Sequence, residues 1–329
     1  MKSVDPQHRL ARWINAPTSG LELIHENIVH NHQGTPVGRW QISVRSYRSA
    51  TGAAVNASQS AGTSAFPERS MWALTMNDNV FVLLEDLAAP YHSEVAAAAQ
   101  AHTQAQAQAT QSSEHGHTHA AHHQPFIGPP HYRSTFVTLS PPGALEELID
   151  QLGAHWKPVR QSGAPPNRNQ PAQRVAQGQQ VTVEGAIYKI GTDWLVRAGH
   201  VILAGGALKG MLLEAEYLPL PTITSFKTPD GTSRLVTDLL LNILPNVQDA
   251  KTVAVTISGA QLEEMLWCSE GDAAEREALT NDSRDPDDDV FAYGDDHWPT
   301  AKKGDWTGID RDKHSAVHVI GILRSEGIM

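Results

Sequence analysis

Glu214-Ala215-Glu216 has the clearest chemical potential in the sequence. Two carboxylates on alternate residues of a strand face the same way, and that spacing can hold a divalent metal for phosphoryl transfer. Such chemistry also needs further oxygen ligands and Lys or Arg around the phosphates. No second Glu-x-Glu falls on another predicted strand. The opposite parity, Met211, Leu213, Ala215 and Tyr217, is wholly apolar. It claims the interior and turns both glutamates to the outer face.

Other candidates fail on spacing or context. His115, His117, His119, His122 and His123 are dense enough to bind zinc, copper or nickel. They lie in an Ala/Gln/His tract with no apolar framework and no cysteine to assist, and read as low complexity. Asp285, Asp287 and Asp289 match the first ligands of a calcium loop, but Val290 stands where the turn needs Gly and Asp296 where a bidentate Glu is usual. That run reads as a solvated charged insertion. Cys268 follows Trp267 with nothing in sequence to activate its thiol, and there is no G-x-S-x-G. Gly205-Gly206 to Lys209-Gly210 lacks the spacing of a phosphate loop and fits a hairpin turn. The expectation is no catalytic residue, no metal and no cofactor.

The elements that carry these residues are mostly strands. Gly38 to Tyr47 alternates, with Trp40, Ile42 and Val44 on one side, as a half-buried antiparallel strand does. Trp72 to Asp86 reads as a hairpin across Asn77-Asp78-Asn79, and Ser134 to Leu139 as a further strand. Val181 to Leu220 reads as a three-strand meander with turns at Gly191-Thr192 and Gly205-Gly206. Ser19 and Glu22 have the form of a capping box before Leu21, Ile24 and Ile28. Ser140-Pro141 places a cap and a first-turn proline before Leu145, Leu148, Ile149 and Leu152, a helix that Gly153 closes. Leu235, Val236, Leu239, Leu240 and Ile243 mark a helix stopped by Pro245. Thr252 to Ile257 reads as a strand, and Ser258 starts a helix carrying Leu262, Met265 and Leu266. Ala316 to Leu323, apolar on both faces apart from His318, is expected to be a strand in a sheet centre or a contact.

At 329 residues, with 40% hydrophobic, the chain can bury a real core even after its biased stretches are set aside. One domain is expected over residues 1–329, with disordered insertions near 49–64, 96–123, 161–180 and 270–313. The fold class is α+β and β-dominated: an antiparallel barrel-like sheet flanked by a few helices. A formal charge of −11 argues against general nucleic-acid binding unless a local patch such as Arg39, Arg45 and Arg48 dominates. The single cysteine excludes an internal disulfide and is consistent with a reducing compartment. Residues Met1 to Pro6 lack the apolar stretch of a secretory signal, and no window approaches a membrane helix, so a soluble, non-secreted protein is expected. The sequons at Asn56 and Asn281 are then chance matches.

Three blocks resemble a known family. Glu184-Gly185-x-x-Tyr188, Asp193-Trp194-Leu195-Val196-Arg197-x-Gly199 and Lys209-Gly210-Met211-Leu212-Leu213-Glu214-Ala215-Glu216-Tyr217-Leu218-Pro219 look like the central block of subunit 20 of the Mediator complex, especially its fungal members. Leu10 to Arg48 and Trp306 to Gly327 are similar to the same family. The blocks cover about half the chain, and their order and spacing together carry the likeness. The resemblance implies a barrel-like β fold, no catalysis, a nuclear location and a role as coactivator subunit of RNA polymerase II. It further implies tight pairing with Mediator subunit 18 and with the end of subunit 8, in the movable jaw of the head module. Trp194, Tyr217, Val317, Val319, Ile320 and Ile322 are the residues expected at a partner interface. The alternative is a tunnel-type, metal-dependent triphosphate hydrolase using Glu214 and Glu216.

Overall fold

The computed structural model describes residues 8–49, 69–112, 126–151, 156–159, 180–218, 234–245, 251–255, 259–266 and 309–328. Its strands are β1 (His8–Trp13), β2 (Thr35–Ser49), β3 (Arg69–Met76), β4 (Asn79–Asp86), β5 (Ser134–Leu139), β6 (Trp156–Pro158), β7 (Gln180–Ile190), β8 (Trp194–Ile202), β9 (Leu208–Tyr217) and β10 (Thr252–Val255). The helices are α1 (Gly20–His32), α2 (His92–Ser112), α3 (Ala144–Gln151), α4 (Arg234–Ile243), α5 (Gly259–Met265) and α6 (Ile309–Ser325).

The strands form one antiparallel sheet in the order β10-β1-β9-β8-β7-β2-β3-β4-β5, with β6 beside the Tyr47 end of β2. Among the described residues β10 and β5 end this path without pairing, so the barrel-like sheet is open. The expected hairpin and meander are present. Met76 faces Asn79 across a two-residue turn in which Asn77 has φ 54°, a value asparagine tolerates. Gly185 of β7 stands opposite Gly199 of β8, and a Cβ on Gly185 would come within 1.8 Å of the Ala198 carbonyl oxygen. The glycine lets the two backbones approach where a side chain would hold them apart.

Alternation along the strands sorts the core into two faces. One face carries Leu10, Trp40, Ile42, Val44, Trp72, Leu74, Phe81, Val183 and Leu212, which pack with Ala316, Val319, Ile320, Ile322 and Leu323 of α6. On the other, Trp13, Val196, Met211, Leu213 and Ala215 pack under Ile24 and Ile28 of α1 and Val236, Leu240 and Ile243 of α4. Farther along that face, Tyr47, Met71, Ala73, Val80 and Val82 cluster with Leu145 of α3. Since α6 packs on β1 and reaches Glu214 and Glu216 of β9 near one end of the sheet, and packs on β3 and β4 near the other, the sheet curls around it.

Several expectations need correcting. Ala316 to Leu323 is helical, because a helix enclosed by a curled sheet can be apolar all round without needing a strand's two faces. Residues 92–112 form α2 where an insertion was expected from 96; alanine is the strongest helix former, and its run here is long enough to sustain turns. Ser19 precedes α1 but makes no side-chain cap, its carbonyl accepting from Leu23 N–H instead. Ser140 donates its hydroxyl to the Asp78 carbonyl, so α3 begins only after Gly143, whose φ is 102°. The short strand β1 had no sequence signal of its own. The His115–His123 tract, the 285–296 acidic run, Cys268, both sequons and most of the 49–64, 161–180 and 270–313 stretches lie outside the described residues.

Candidate functional site

β9 is buried on both faces, which reverses the expected placement of its glutamates. The apolar parity lies on the outer face beneath α1 and α4, whereas Glu214 and Glu216 point into the curl of the sheet and are both 0% exposed. Their counterion is supplied by the neighbouring strand. Arg197 of β8 is the direct register partner of Glu214 and is itself buried. Its Nη1 donates to Glu214 Oε2 at 2.7 Å, and its Nη2 stands 3.4 Å from Glu216 Oε2.

α6 closes the arrangement from above. Ser315 Oγ donates to Glu214 Oε2 at 3.1 Å, and Arg311 Nε lies 3.6 Å from Glu216 Oε1. Residues 311 and 315 are one turn apart and so project on the same side of the helix. Two carboxylates therefore meet two guanidiniums, and the charges cancel. Burial alone would depress the Arg197 guanidinium, but the facing Glu214 and Glu216 outweigh it and hold it above the ordinary arginine value. Glu216 is the less satisfied carboxylate, since neither oxygen makes a hydrogen bond among the described residues.

The same helix is tied at its other end. Arg12, buried on β1, pairs through Nε with Glu326 Oε2 at 3.1 Å and donates from Nη2 to the Lys209 carbonyl oxygen. Burial lowers its guanidinium, with Glu326 opposing. Arg324 Nη2 meets Glu85 Oε2 at 2.7 Å while its guanidinium lies 4.1 Å from the centre of the Trp72 ring.

This geometry cannot admit a substrate while α6 is seated, because both carboxylates are sealed from solvent and already compensated. Among the described residues no group of three or more His, Cys, Asp or Glu could hold a metal ion, and no helix is long and apolar enough to cross a membrane. The network acts instead as a polar lock that fixes where α6 sits. Arg197, Arg311, Ser315 and Arg12 carry it, and sequence reasoning assigned none of them a role. Counting back from Glu214 across the Gly205-Gly206 turn lands on Arg197, its observed register partner; the register shift between His200 and Ile202 moves only the pairing beside the turn.

The expected partner residues divide in two. Val317, Val319, Ile320 and Ile322 are 0–1% exposed inside the chain's own core, because α6 is an enclosed helix and not a surface strand. They present no surface to a partner. Trp194 and Tyr217 are half-buried at the edge of the outer face, tilted ring against ring with centroids 4.8 Å apart. Neither protein-family models nor curated proteins match this chain.

Proposed function

We propose that the chain is a non-enzymatic subunit of the Mediator complex, acting in the nucleus as a coactivator of RNA polymerase II through protein contacts. The observation that carries the non-catalytic reading is the burial of Glu214 and Glu216 beneath α6 with Arg197 between them. A triphosphate hydrolase needs such carboxylates open to a metal and to phosphate oxygens. The family assignment rests on the sequence blocks, and the glycine contact at Gly185–Gly199 gives a physical reason for two of their residues.

In this reading Mediator subunit 18 and the end of subunit 8 are the direct partners, and nucleic acid is not, given the charge of −11. An obligate contact of that kind buries over ~2,000 Å². Co-expression with a subunit 18 homologue is expected to give a stable 1:1 complex on gel filtration; two separate peaks would count against the assignment. Manganese-dependent hydrolysis of a nucleoside triphosphate, abolished by Glu214→Ala, would instead establish the hydrolase.

A further inference from the structure

The start of α2 is pinned from two directions. The N–H groups of His92 and Ser93 donate to the Glu264 carboxylate of α5, the second to Oε2 at 3.2 Å. The His92 ring stacks on Tyr132, with centroids 3.5 Å apart and planes 24° from parallel. Farther along the helix His102 tilts against Phe126 at 5.9 Å. Between these two ring pairs lies a cavity of about 300 Å³, floored by Val95, Ala96 and Ala99 and walled by Phe126 and Tyr132. The two alanines keep the floor low, and a Cβ on Gly128 at the wall would meet nothing within 4 Å. Residues 92 to 99 make the slot about 10 Å long at the usual helical rise.

Its chemistry is aromatic and uncharged. Among the described residues that line it none carries a carboxylate, ammonium or guanidinium. The charges close by are engaged elsewhere: Glu94 accepts from Tyr91 N–H, and Arg133 donates to the Leu87 and Ala89 carbonyls while covering the Tyr91 ring at 4.3 Å. Size narrows the occupant further. Benzene fills a cavity of roughly 150 Å³, so a single ring would leave half of this slot empty where a fused pair of rings would fill it. The apolar surface continues past the opening, since Ile127 is 88% exposed and Leu87, Tyr91 and Phe126 also face solvent. A free small molecule would leave that rim wet, whereas a polypeptide covers slot and rim together.

We propose that this slot receives the indole ring of a tryptophan on an uncharged segment of a partner protein, with an aliphatic neighbour of that tryptophan covering Ile127. The ring packs between Tyr132 and Phe126 in the offset or edge-to-face arrangements that aromatic groups favour. Glu264 holds the first turn of α2 in place beforehand, so little ordering is needed on binding. The slot lies at the β4–β5 end of the strand order, away from Trp194 and Tyr217 on β8 and β9, and its occupant is independent of the subunit 18 contact.

The test uses the full chain with meta-fluorotyrosine at its six tyrosines, the Tyr132 fluorine signal being assigned by Tyr132→Phe. The probe is the peptide acetyl-Gly-Ser-Trp-Leu-Ser-Gly-amide at up to about 2 mM, where even a millimolar site is mostly filled. The Tyr132 signal is expected to shift saturably. Alanine in place of the peptide's tryptophan, or Phe126→Ala in the protein, is expected to weaken binding roughly tenfold or more. Ala99→Trp, which fills the slot from α2 itself, is expected to abolish the response, whereas Ala97→Trp, on the exposed side of the helix, leaves it intact. The proposal is overturned if native protein shows no saturable shift, if the alanine peptide binds as well as the tryptophan peptide, or if Ala99→Trp with unchanged circular dichroism still binds. It is equally overturned if free indole binds as tightly as the peptide, which would make the cavity a small-molecule site.

Discussion

Arg197→Met tests whether the buried lock holds the fold together. Methionine matches the length of the aliphatic stem, so little cavity forms, but Glu214 loses its 2.7 Å partner and Glu216 its 3.4 Å partner. Glu214 keeps the Ser315 hydroxyl, and Glu216 keeps Arg311 at 3.6 Å. Removing one member of a buried pair costs about 3–5 kcal/mol, because the charge left behind stays desolvated. With a urea slope of roughly 2 kcal/mol/M, that loss lowers the unfolding midpoint by about 2 M. The double variant Arg197→Met/Glu214→Met leaves one carboxylate facing one guanidinium and is expected to regain at least ~2 kcal/mol. Equilibrium urea unfolding followed by circular dichroism measures wild type, Arg197→Met, Glu214→Met and the double variant. A midpoint shift below ~0.5 M for the single variant, or a double variant as weak as the sum of its parts, would falsify the lock.

Further outcomes follow from other contacts. Gly185→Ala is expected to cost at least ~3 kcal/mol, the upper end of overpacking, because its Cβ meets backbone at 1.8 Å, while Gly128→Ala, with open space around it, leaves the urea midpoint unchanged. Burial acts to raise the Asp86 carboxyl, but the Ala88 N–H, His131 and Arg69 outweigh it and hold the group below its ordinary value. A depressed folded value means stability that is present above the unfolded value near 3.9 and lost as pH falls through the folded one. The gap in melting temperature between wild type and Asp86→Asn is therefore expected to close in acid below about pH 4, and a gap constant from pH 7 to pH 3 would remove this account. Trp194→Ala is expected to weaken co-purification with the subunit 18 homologue at least tenfold, and undiminished affinity would take the Trp194–Tyr217 pair out of the interface.

Sequence and structure agree where one rule governs an element, and part where two rules compete. Trp40, Ile42 and Val44 alternate on a strand with one buried face, and Ile24, Ile28, Val236 and Ile243 repeat on helices with one buried stripe. Each pattern has a single reading. β9 has two buried faces, so the rule that polar parity faces water fails. Glu214 and Glu216 are hidden because Arg197, 17 residues earlier, and Ser315, 101 residues later, compensate them, and no local window contains both. α6 fails for a related reason. Val317, Val319, Ile320 and Ile322 are β-branched and Ala316 to Leu323 is short, so periodicity cannot separate a buried helix from a buried strand. What decides it is the enclosure: a sheet that curls around a segment can satisfy its side chains on every side, but a helix satisfies its own backbone as well. The two misreadings are thus one. Once the terminal segment is a helix inside the curl, the face of β9 beneath it must be buried, and carboxylates on that face must find arginines. Arg197 and Arg311, which the sequence blocks contain without explaining, are those arginines.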